Sequence, residues 1–454
     1  MTGEKRFYPR VSVNIGLSLR HNAEASAFDL SEGGIGFAAS GEACEPGDKL
    51  LISIKDPDFN SGFNLRMKWK KRNTEGSFIY GGEFFNLRQK QKEGLRRWVI
   101  ARKISPLLKK AKSAAESGLI LRFFTDYLSR YMDEIISING ALAAGNAYSL
   151  EYEEKLDKLS IKALLSGSCL EECLENKEIL GGIKNSFRQL AGPWIYKSEI
   201  LKRAFDKPSG YPGDYELLEM IYNNRPVSGG IGAYFDNIFL RSPYITSVRQ
   251  RKDKIKLMLL SAINDKKPGR VNVLSVGCGP CREIRELLPD LNPDKEAHFT
   301  CVDWDEKALS FSRHMIMKLH PHKAIFKFCR CRLKDILRIE PALGMPEKQD
   351  VIYSTGFFDY LPRRVFKKLI RSLFTFLAEG GKLIITHKNR EMTMPQIHPE
   401  WLCDWNLMPR NKDEFIKLIY ESGIKQFSIS VSSDNFGYIH YFVLSKDGMR
   451  KTRT

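Results

Sequence analysis

Two glycines and a carboxylate in the C-terminal half of the chain have the spacing of a nucleotide-binding site. The apolar run 271–276 is followed by Gly277-Cys278-Gly279, and a helical pattern begins soon afterwards. A glycine turn between a strand and a helix lets the backbone approach a ligand closely, and the helix N-terminus offers free N–H groups. A second apolar run ends at Asp303, 24 residues after Gly279. That separation is close to the ~20 residues at which an acidic side chain reaches a ribose hydroxyl.

The residues around this turn favour one class of nucleotide ligand. Arg282 stands where the dinucleotide fingerprint has its third glycine. A ligand without a pyrophosphate is therefore favoured over a nicotinamide or flavin dinucleotide, and S-adenosyl-L-methionine is the obvious one. Trp304 is placed to stack near an adenine, although a packed surface tryptophan is an equal alternative. A glycine turn in an α/β domain that binds no nucleotide is the alternative for the whole stretch.

A segment upstream has the composition of a shaped loop rather than a linker. Residues 207–216 contain two prolines, two glycines and two tyrosines. Asp214 precedes a helical pattern, so its simplest role is to cap that helix. The functional alternative is a lid, in which Tyr211 or Tyr215 touches the ligand.

The N-terminal region carries a second set of residues suited to ligand binding. Arg6 and Arg10 precede the first predicted strand, and two arginines four apart on an extended arm can clamp phosphates and stack on purines. A predicted turn about twenty residues later offers hydrogen-bonding groups and close backbone approach. Its residues are Asp29, Ser31, Gly33 and Gly34.

These N-terminal residues resemble the PilZ domain, whose signature is RxxxR followed by [D/N]xSxxG over a six-stranded barrel. The two arginines fit the first motif, and Asp29, Ser31 and Gly34 fit the second. The resemblance covers residues 4 to about 103. It implies binding of cyclic di-GMP, often as an intercalated dimer gripped by the arginines. A degenerate barrel that binds no nucleotide is the alternative.

The patterns between these motifs predict the elements that position them. Short β segments with glycine and proline turns fill residues 1–86 and predict a small barrel, followed by a basic helix. Apolar spacings of three and four then predict helices, and alternating strands and helices follow to the end. The predicted fold is multidomain: an N-terminal six-stranded β-barrel, a helical middle segment and a C-terminal α/β Rossmann-like sheet. The domains are the barrel at 1–105, a helical connector and lid segment at 106–260, the α/β domain at 261–446 and a basic tail at 447–454.

The motif order of the C-terminal region resembles the class I S-adenosylmethionine-dependent methyltransferases. Residues 273–279 are similar to their first motif, and Glu379-Gly380-Gly381 is similar to their turn into strand five. The last two predicted strands resemble their antiparallel edge. The resemblance implies a cofactor site whose members are Gly277, Cys278, Gly279, Asp303, Trp304 and Ser354.

A narrower resemblance is to bacterial methyltransferases that are often labelled as biosynthesis proteins for an extracellular factor, hydroxypalmitate methyl ester. It is carried by the sequences at 210–215, 277–283, 358–361 and 401–407. It favours a lid for the loop and implies a small or lipid-derived methyl acceptor.

The acceptor must be held in line with the methyl donor at near-attack distance. Asp359 and Tyr360 follow a predicted strand at the edge where open α/β sheets bind ligands. Asp359 is the first candidate for orienting the acceptor, and Tyr211 or Tyr215 for closing over it. A carboxylate acceptor would need no general base, whereas an amine or hydroxyl would.

Composition limits the partners and the location that we expect. The net charge is +18, which suggests anionic partners, but the basic residues are spread over the whole chain. The nine cysteines, an odd number, predict reduced thiols. We see no apolar run long enough for a transmembrane span and no signal-peptide core, so we expect a cytoplasmic location.

Three functions are open at this point. The favoured one is a cyclic di-GMP-controlled methyltransferase that acts on a small or lipid-derived acceptor. The second, suggested by the charge, is a methyltransferase for RNA or protein, although the absence of [D/N]PP[Y/F] argues against a nucleic acid acceptor. The third is a non-catalytic cyclic di-GMP effector whose methyltransferase-like domain only docks a partner.

Overall fold

The protein forms two compact units. The structure is a computed structural model, and it describes residues 8–19, 24–39, 44–56, 59–73, 77–322, 324–337, 347–392 and 398–447. The first unit comprises residues 1–198 and 229–234, and the second comprises 199–228 and 235–454. Helices of the segment 106–260 fall in both units, and the division of the chain at residues 105 and 260 stays a prediction. Among the described residues, no helix combines the length and apolar composition needed to cross a membrane.

The first unit begins with a closed barrel of six strands, which confirms the predicted barrel. Its sheet order is β1-β2-β3-β6-β5-β4, with antiparallel neighbours throughout. Alternate side chains point inward and form its core, as the period of a strand requires. The strands are β1 (Arg10–Ser18), β2 (Glu24–Ser31), β3 (Gly34–Ala39), β4 (Lys49–Asp56), β5 (Phe59–Arg72) and β6 (Phe78–Phe84).

Strand β2 corrects one sequence interpretation. We predicted that Asp29 and Ser31 lie in a turn, but they end β2, and the turn itself contains only Glu32 and Gly33. The inward positions of β2 include the small residues Ala25 and Ala27. Small side chains give a weak strand pattern in the sequence, because strand propensity reflects packing on a pleated surface.

Helices complete the first unit. Helix α1 packs on the barrel, since Leu95, Trp98 and Val99 belong to the barrel core and Trp98 donates a 3.0 Å hydrogen bond to Asp56. The helices are α1 (Gln89–Leu108), α2 (Ala114–Arg122), a π-helical turn (Phe123–Leu128), α3 (Ser129–Ala143), α4 (Leu150–Cys173), a 3₁₀ turn (Lys177–Ile179) and α5 (Leu180–Ile195).

The second unit begins with helices and continues as an α/β fold. The helices are α6 (Glu199–Asp206), α7 (Tyr215–Asn223), α8 (Ile231–Arg241), whose first residues are grouped with the first unit, and α9 (Pro243–Asn264). The α/β elements are β7 (Gly269–Val276), α10 (Arg282–Leu287), β8 (Lys295–Asp303), α11 (Glu306–Met317), β9 (Ala324–Arg330), α12 (Leu333–Ile336), β10 (Gln349–Ser354), α13 (Arg363–Phe376), β11 (Leu377–Lys388), α14 (Lys412–Glu421), β12 (Phe427–Ser433) and β13 (Ile439–Lys446).

The seven strands form one sheet in the order β12-β13-β11-β10-β7-β8-β9. Strands β7 to β11 are parallel, and β13 is antiparallel to its neighbours β11 and β12. The predicted Rossmann-like sheet and its closing hairpin are therefore confirmed. The strand order reverses between β7 and β10, and open α/β sheets bind ligands at such a switch point.

One predicted turn lies inside a strand. We predicted that Glu379-Gly380-Gly381 leads into strand five, whereas β11 already begins at Leu377. The pairing with β10 jumps there, because Gln349 faces Leu377 while Val351 faces Lys382. Gly380 has φ +67°, so the extra residues form an irregularity within the strand.

Candidate functional sites

A cavity of about 430 Å³ lies within the second unit at the switch point of the sheet. Its wall is formed by the carboxyl ends of β7, β8 and β10, by helices α7 and α9, and by the loops before α7 and around Trp405. Most of the predicted cofactor and acceptor residues line it. They are Tyr211, Gly277, Gly279, Asp303, Trp304, Asp359 and Tyr360.

The glycine turn after β7 has the conformation that its residue types require. Gly277 has φ +68° and Gly279 has φ +50°. This region favours glycine, because a side chain would be strained there. A Cβ atom at position 277 would also lie 3.1 Å from Cβ of Phe357. The turn therefore leaves a cradle that a ligand can approach.

Asp303 holds this turn against the end of β8. Its Oδ2 accepts a 2.9 Å hydrogen bond from N–H of Gly279, and its Oδ1 accepts a 3.0 Å bond from N–H of Asp305. Burial raises the pKa of Asp303, and the two N–H donors partly oppose this rise. Each carboxylate oxygen keeps a second lone pair, so both can accept a further hydrogen bond from ribose hydroxyls.

Three predicted site residues do not line the cavity. Cys278 is buried in the core of the second unit. Ser354 donates a 2.8 Å hydrogen bond to the carbonyl of Val276 and so ties β10 to β7. Tyr215 donates a 2.8 Å hydrogen bond to Glu216.

The loop before α7 is both a helix cap and a wall of the cavity. Asp214 accepts a hydrogen bond of 2.9 Å from N–H of Leu217 and two more, of 2.9 and 2.8 Å, from Arg203. The carbonyl of Pro212 accepts a 3.2 Å hydrogen bond from the hydroxyl of Tyr360. Trp405 in turn donates a 2.8 Å bond to that hydroxyl. Three of the segments that carried the narrower resemblance therefore meet here.

Tyr211 lies over Trp304 at the cavity wall. The ring centroids are 5.3 Å apart, and the Tyr211 hydroxyl donates a 3.4 Å hydrogen bond to Asp305. Burial raises the pKa of Tyr211, and the carboxylates of Asp303 and Asp305 raise it further. The hydroxyl is therefore a hydrogen-bond donor at neutral pH. Trp304 is 46% exposed, which leaves its ring free to stack.

Asp359 is ionised although it is buried. Burial alone would raise its pKa, but His387, the N–H of Lys388 and Arg251 outweigh burial and lower it. Nδ1 of His387 lies 2.9 Å from Oδ1 of Asp359, and N–H of Lys388 donates a 2.8 Å hydrogen bond to the same oxygen. His387 is fully buried against Asp359. Burial also lowers the pKa of Lys388 to about 7.

Sequence reasoning missed several lining residues, among them Tyr244 and Arg251 of α9 and Arg332 after β9. Helix α9 precedes the glycine turn and showed only an apolar helical pattern. Arg251 lies in the basic stretch 249–256 of that helix, so no signal in the sequence singled it out.

A second cavity, of about 520 Å³, lies on the barrel in the first unit. Arg10, Ser31 and Gly33 line it, and Asp29 forms an ion pair with Arg10. Ser31 donates a 3.1 Å hydrogen bond to the carbonyl of Gly34. The predicted barrel residues are thus brought together, except for Arg6, which lies outside the described residues.

Two glycines of this motif have no space for a side chain. A Cβ atom at Gly33 would overlap the ring of Tyr8, and one at Gly34 would overlap the carbonyl of Gly82. Tyr8, Lys68, Trp69 and Lys92 also line the cavity and were not predicted.

Comparison with known families assigns both parts of the chain. Residues 4–101 match the PilZ domain, and residues 268–438 match a methyltransferase domain. The chain carries a PilZ domain at its N-terminus and a methyltransferase domain at its C-terminus. Among curated proteins, none matches it. Membership of the extracellular-factor group stays a prediction.

Solved structures show partial likeness at low identity. A possible exported protein from Bordetella parapertussis is 16% identical with a TM-score of 0.43, and the match covers 74% of this chain and all of that one. Magnesium protoporphyrin IX methyltransferase from Synechocystis, solved with bound S-adenosylhomocysteine, is 14% identical with a TM-score of 0.38 over 55% of this chain and 99% of that one. The motility inhibitor MotI from Bacillus subtilis is 16% identical with a TM-score of 0.21 over 22% of this chain and 52% of that one.

Proposed function

We propose that this protein transfers a methyl group from S-adenosyl-L-methionine to a small or lipid-derived acceptor and that cyclic di-GMP regulates the transfer. The observation that carries the proposal is the cavity at the sheet's switch point, where the glycine turn, Asp303 and Asp359 meet. The match of residues 268–438 to a methyltransferase domain supports it.

The residues present fit the cofactor. The side-chain-free turn at Gly277 and Gly279 would pass its methionine part, and Asp303 retains acceptor capacity for ribose hydroxyls. Trp304 would stack near the adenine, with Tyr211 closing beside it. The bound cofactor supplies the methyl group as a sulfonium substituent.

The remaining wall of the cavity indicates the chemistry of the acceptor. Apolar side chains dominate it and favour an acceptor with a hydrocarbon part. They include Leu218, Ile221, Val248, Ile336, Phe357 and Leu407. Asp359, kept ionised, can accept a hydrogen bond from a hydroxyl or amine and so orient the acceptor. Tyr360 is fixed between Pro212 and Trp405 and shapes the same wall.

Calorimetric titration tests the cofactor site. We expect S-adenosylmethionine to bind the wild type and Asp303→Ala to weaken binding by ~1–3 kcal/mol, the cost of unsatisfied hydrogen-bond partners. Asp290→Ala is the control, since Asp290 is exposed, pairs with Lys256 and does not line the cavity. No binding to the wild type would leave the non-catalytic effector as the better interpretation.

Methyl transfer from labelled cofactor into a whole-cell extract identifies the acceptor class. Label in the small-molecule or lipid fraction is the expected result. Label that appears only in protein or RNA would overturn the proposed acceptor and leave the cofactor site intact.

The barrel is proposed to bind cyclic di-GMP through Arg6, Arg10, Asp29 and Ser31, with Gly33 and Gly34 allowing close approach. Guanidinium–phosphate hydrogen bonds are among the strong ones, so Arg10→Ala should cost ~1.5–3 kcal/mol of binding. Arg97→Ala is the control, because it removes the same charge from an exposed position outside the cavity. Equal binding by the wild type and an Arg6→Ala, Arg10→Ala double variant would show that the arginines do not form the site.

A further inference from the structure

A buried cation lies in the wall of the second unit's cavity. Arg251 lies in the middle of α9, is only 7% exposed and lines the cavity. Within the part of the chain that the structure describes, no carboxylate forms an ion pair with it. Buried charges in proteins are normally paired, because an isolated charge is costly to desolvate.

The groups around Arg251 keep it charged. Burial would lower its pKa, but Tyr222, Tyr244, Asp359 and Tyr441 outweigh burial and raise it. Tyr222 is hydrogen-bonded to Arg251, and a phenol can satisfy part of a guanidinium without neutralising it. Arg332, the other arginine of the cavity wall, is exposed and therefore solvated. Arg251 is thus the desolvated cation of this cavity.

The turn after β10 leaves room for this guanidinium. Gly356 has φ +78°, and a Cβ atom there would lie 2.8 Å from Nη1 of Arg251. The next residue, Phe357, lies close to the glycine turn, because its Cβ would be 3.1 Å from a Cβ atom at Gly277. Arg251 is therefore placed beside the loop that packs on the glycine turn, and it also interacts electrostatically with Asp359.

We propose that Arg251 is the carboxylate-binding residue of this cavity. A guanidinium fork matches the two oxygens of a carboxylate and forms two parallel charge-assisted hydrogen bonds. The inference rests on the proposed function, in which two ligands could present that group: the methionine part of the cofactor, or an acceptor that is methylated on its carboxylate. Arg251 is a binding and positioning residue in both cases.

Two ligands test whether Arg251 binds the carboxylate of the cofactor's methionine part or whether its replacement damages the whole site. S-adenosylhomocysteine carries the amino-acid carboxylate, whereas 5′-methylthioadenosine has the same adenosine and thioether without it. If Arg251 holds the cofactor carboxylate, Arg251→Met should weaken the affinity for S-adenosylhomocysteine roughly 10- to 100-fold. The affinity for methylthioadenosine should change by less than about twofold. Arg251→Lys should recover part of the loss, because it keeps the charge but not the fork.

The second source is tested by the chemistry of the product. A methyl ester releases its label as methanol in mild alkali. If Arg251 holds an acceptor carboxylate, Arg251→Met should bind S-adenosylhomocysteine normally and lose alkali-labile incorporation into the small-molecule fraction of an extract.

A control variant separates loss of ligand binding from loss of folding. Arg249→Met is the control for folding, because Arg249 is in the same helix, bonds to the carbonyl of Leu240 at 2.8 Å and does not line the cavity. The inference is wrong if Arg251→Met changes neither S-adenosylhomocysteine affinity nor alkali-labile incorporation, or if it weakens both probes equally. A wild type that binds neither probe would instead contradict the proposed function itself.

Discussion

Arg96 donates two hydrogen bonds of 2.7 Å to the two carboxylate oxygens of Glu32, and the two side chains are only 5% and 6% exposed. Glu32 stands in the two-residue turn between β2 and β3, beside Ser31, and Arg96 lies in α1. Arg96 also forms an ion pair with Asp133 of α3. The proposed nucleotide-binding turn is therefore fastened to the helices of its own unit by a buried network of charges.

Glu32→Gln should destabilise the protein by roughly 3 kcal/mol, because removing one charge of a buried pair leaves the other poorly compensated. Denaturant unfolding measures the change. The control is Glu154→Gln, whose ion pair with Lys158 is exposed on both sides and should contribute less than about 1 kcal/mol. Equal effects of the two substitutions would show that the buried pair does not stabilise the turn.

Gly213→Ala should disturb the loop before α7 through two separate effects. Gly213 has φ +75°, and a left-handed conformation costs a side-chain-bearing residue ~1–2 kcal/mol. A Cβ atom there would also lie 2.7 Å from the Trp405 ring. Gly210→Ala is the matched control, since Gly210 has φ +81° but no atom within 4 Å of the added carbon.

Both variants should lose similar stability from the backbone, but only Gly213→Ala should also weaken S-adenosylhomocysteine binding and methyl transfer. Thermal unfolding and calorimetry on the two proteins measure these quantities. Ligand affinities that stay equal in both variants would mean that the contact with Trp405 does not position the loop.

The sequence was sufficient to predict the site residues that lie at the ends of recognisable strands. The glycine turn follows β7 and Asp303 ends β8, and parallel strands bring their carboxyl ends to one edge. Arg251 could not be predicted in this way, because it enters the cavity from a helix that precedes the sheet in sequence. Its position depends on the packing of α9 against β10, which no local pattern encodes.

The side-chain directions of Ser354 and Tyr215 depended on tertiary contacts as well. Ser354 ends a strand of the correct sheet edge, but its hydroxyl reaches the carbonyl of Val276 instead of the cavity. Tyr215 follows the capping residue Asp214, and its ring packs on Phe311 with centroids 5.1 Å apart. Position in the chain identified the region, and packing decided which side chains face the ligand.

The raised pKa of Glu283 predicts that the stability of the protein depends on pH. Burial, with a contribution from Cys281, raises the pKa of Glu283 from 4.5 to about 7. Between these values the folded protein holds a proton that the unfolded chain has lost, so stability falls as pH rises through this window. Glu283→Gln keeps an acceptor for the Tyr353 hydroxyl, which lies 2.7 Å from Oε1, and should remove this fall.

Glu286→Gln in the same helix is the control of opposite sign. Hydrogen bonds from Lys252 and Arg282 outweigh burial and lower the pKa of Glu286. Its contribution to stability is therefore present above the unfolded pKa and is lost as pH falls. Denaturant unfolding measures the Glu283 slope between pH 4.5 and 7 and the Glu286 slope below pH 4.5. A Glu283→Gln protein with the wild-type slope between pH 4.5 and 7 would contradict the assignment.

We expect the two proposed sites to be coupled through Tyr8. The Tyr8 ring covers Gly33 of the proposed nucleotide-binding turn and packs edge-on against Trp194 near the end of α5, with centroids 5.6 Å apart. The chain runs from α5 into α6 and then into the loop at 207–214. A nucleotide that displaces Tyr8 can therefore bias the segment that leads to that loop.

A ligand shifts such an equilibrium only by its differential affinity for the two states. We expect saturating cyclic di-GMP to change S-adenosylmethionine affinity by about 5- to 150-fold, and the cofactor to change nucleotide affinity by the same factor, because coupling of binding is reciprocal. Trp194→Leu should reduce that factor while each ligand still binds alone, since Trp194 lines neither cavity. Paired titrations with and without the other ligand measure it. If neither ligand changes the affinity for the other and the turnover rate is the same with and without the nucleotide, the barrel does not regulate the enzyme allosterically. It then serves to localise the enzyme or recruit a partner.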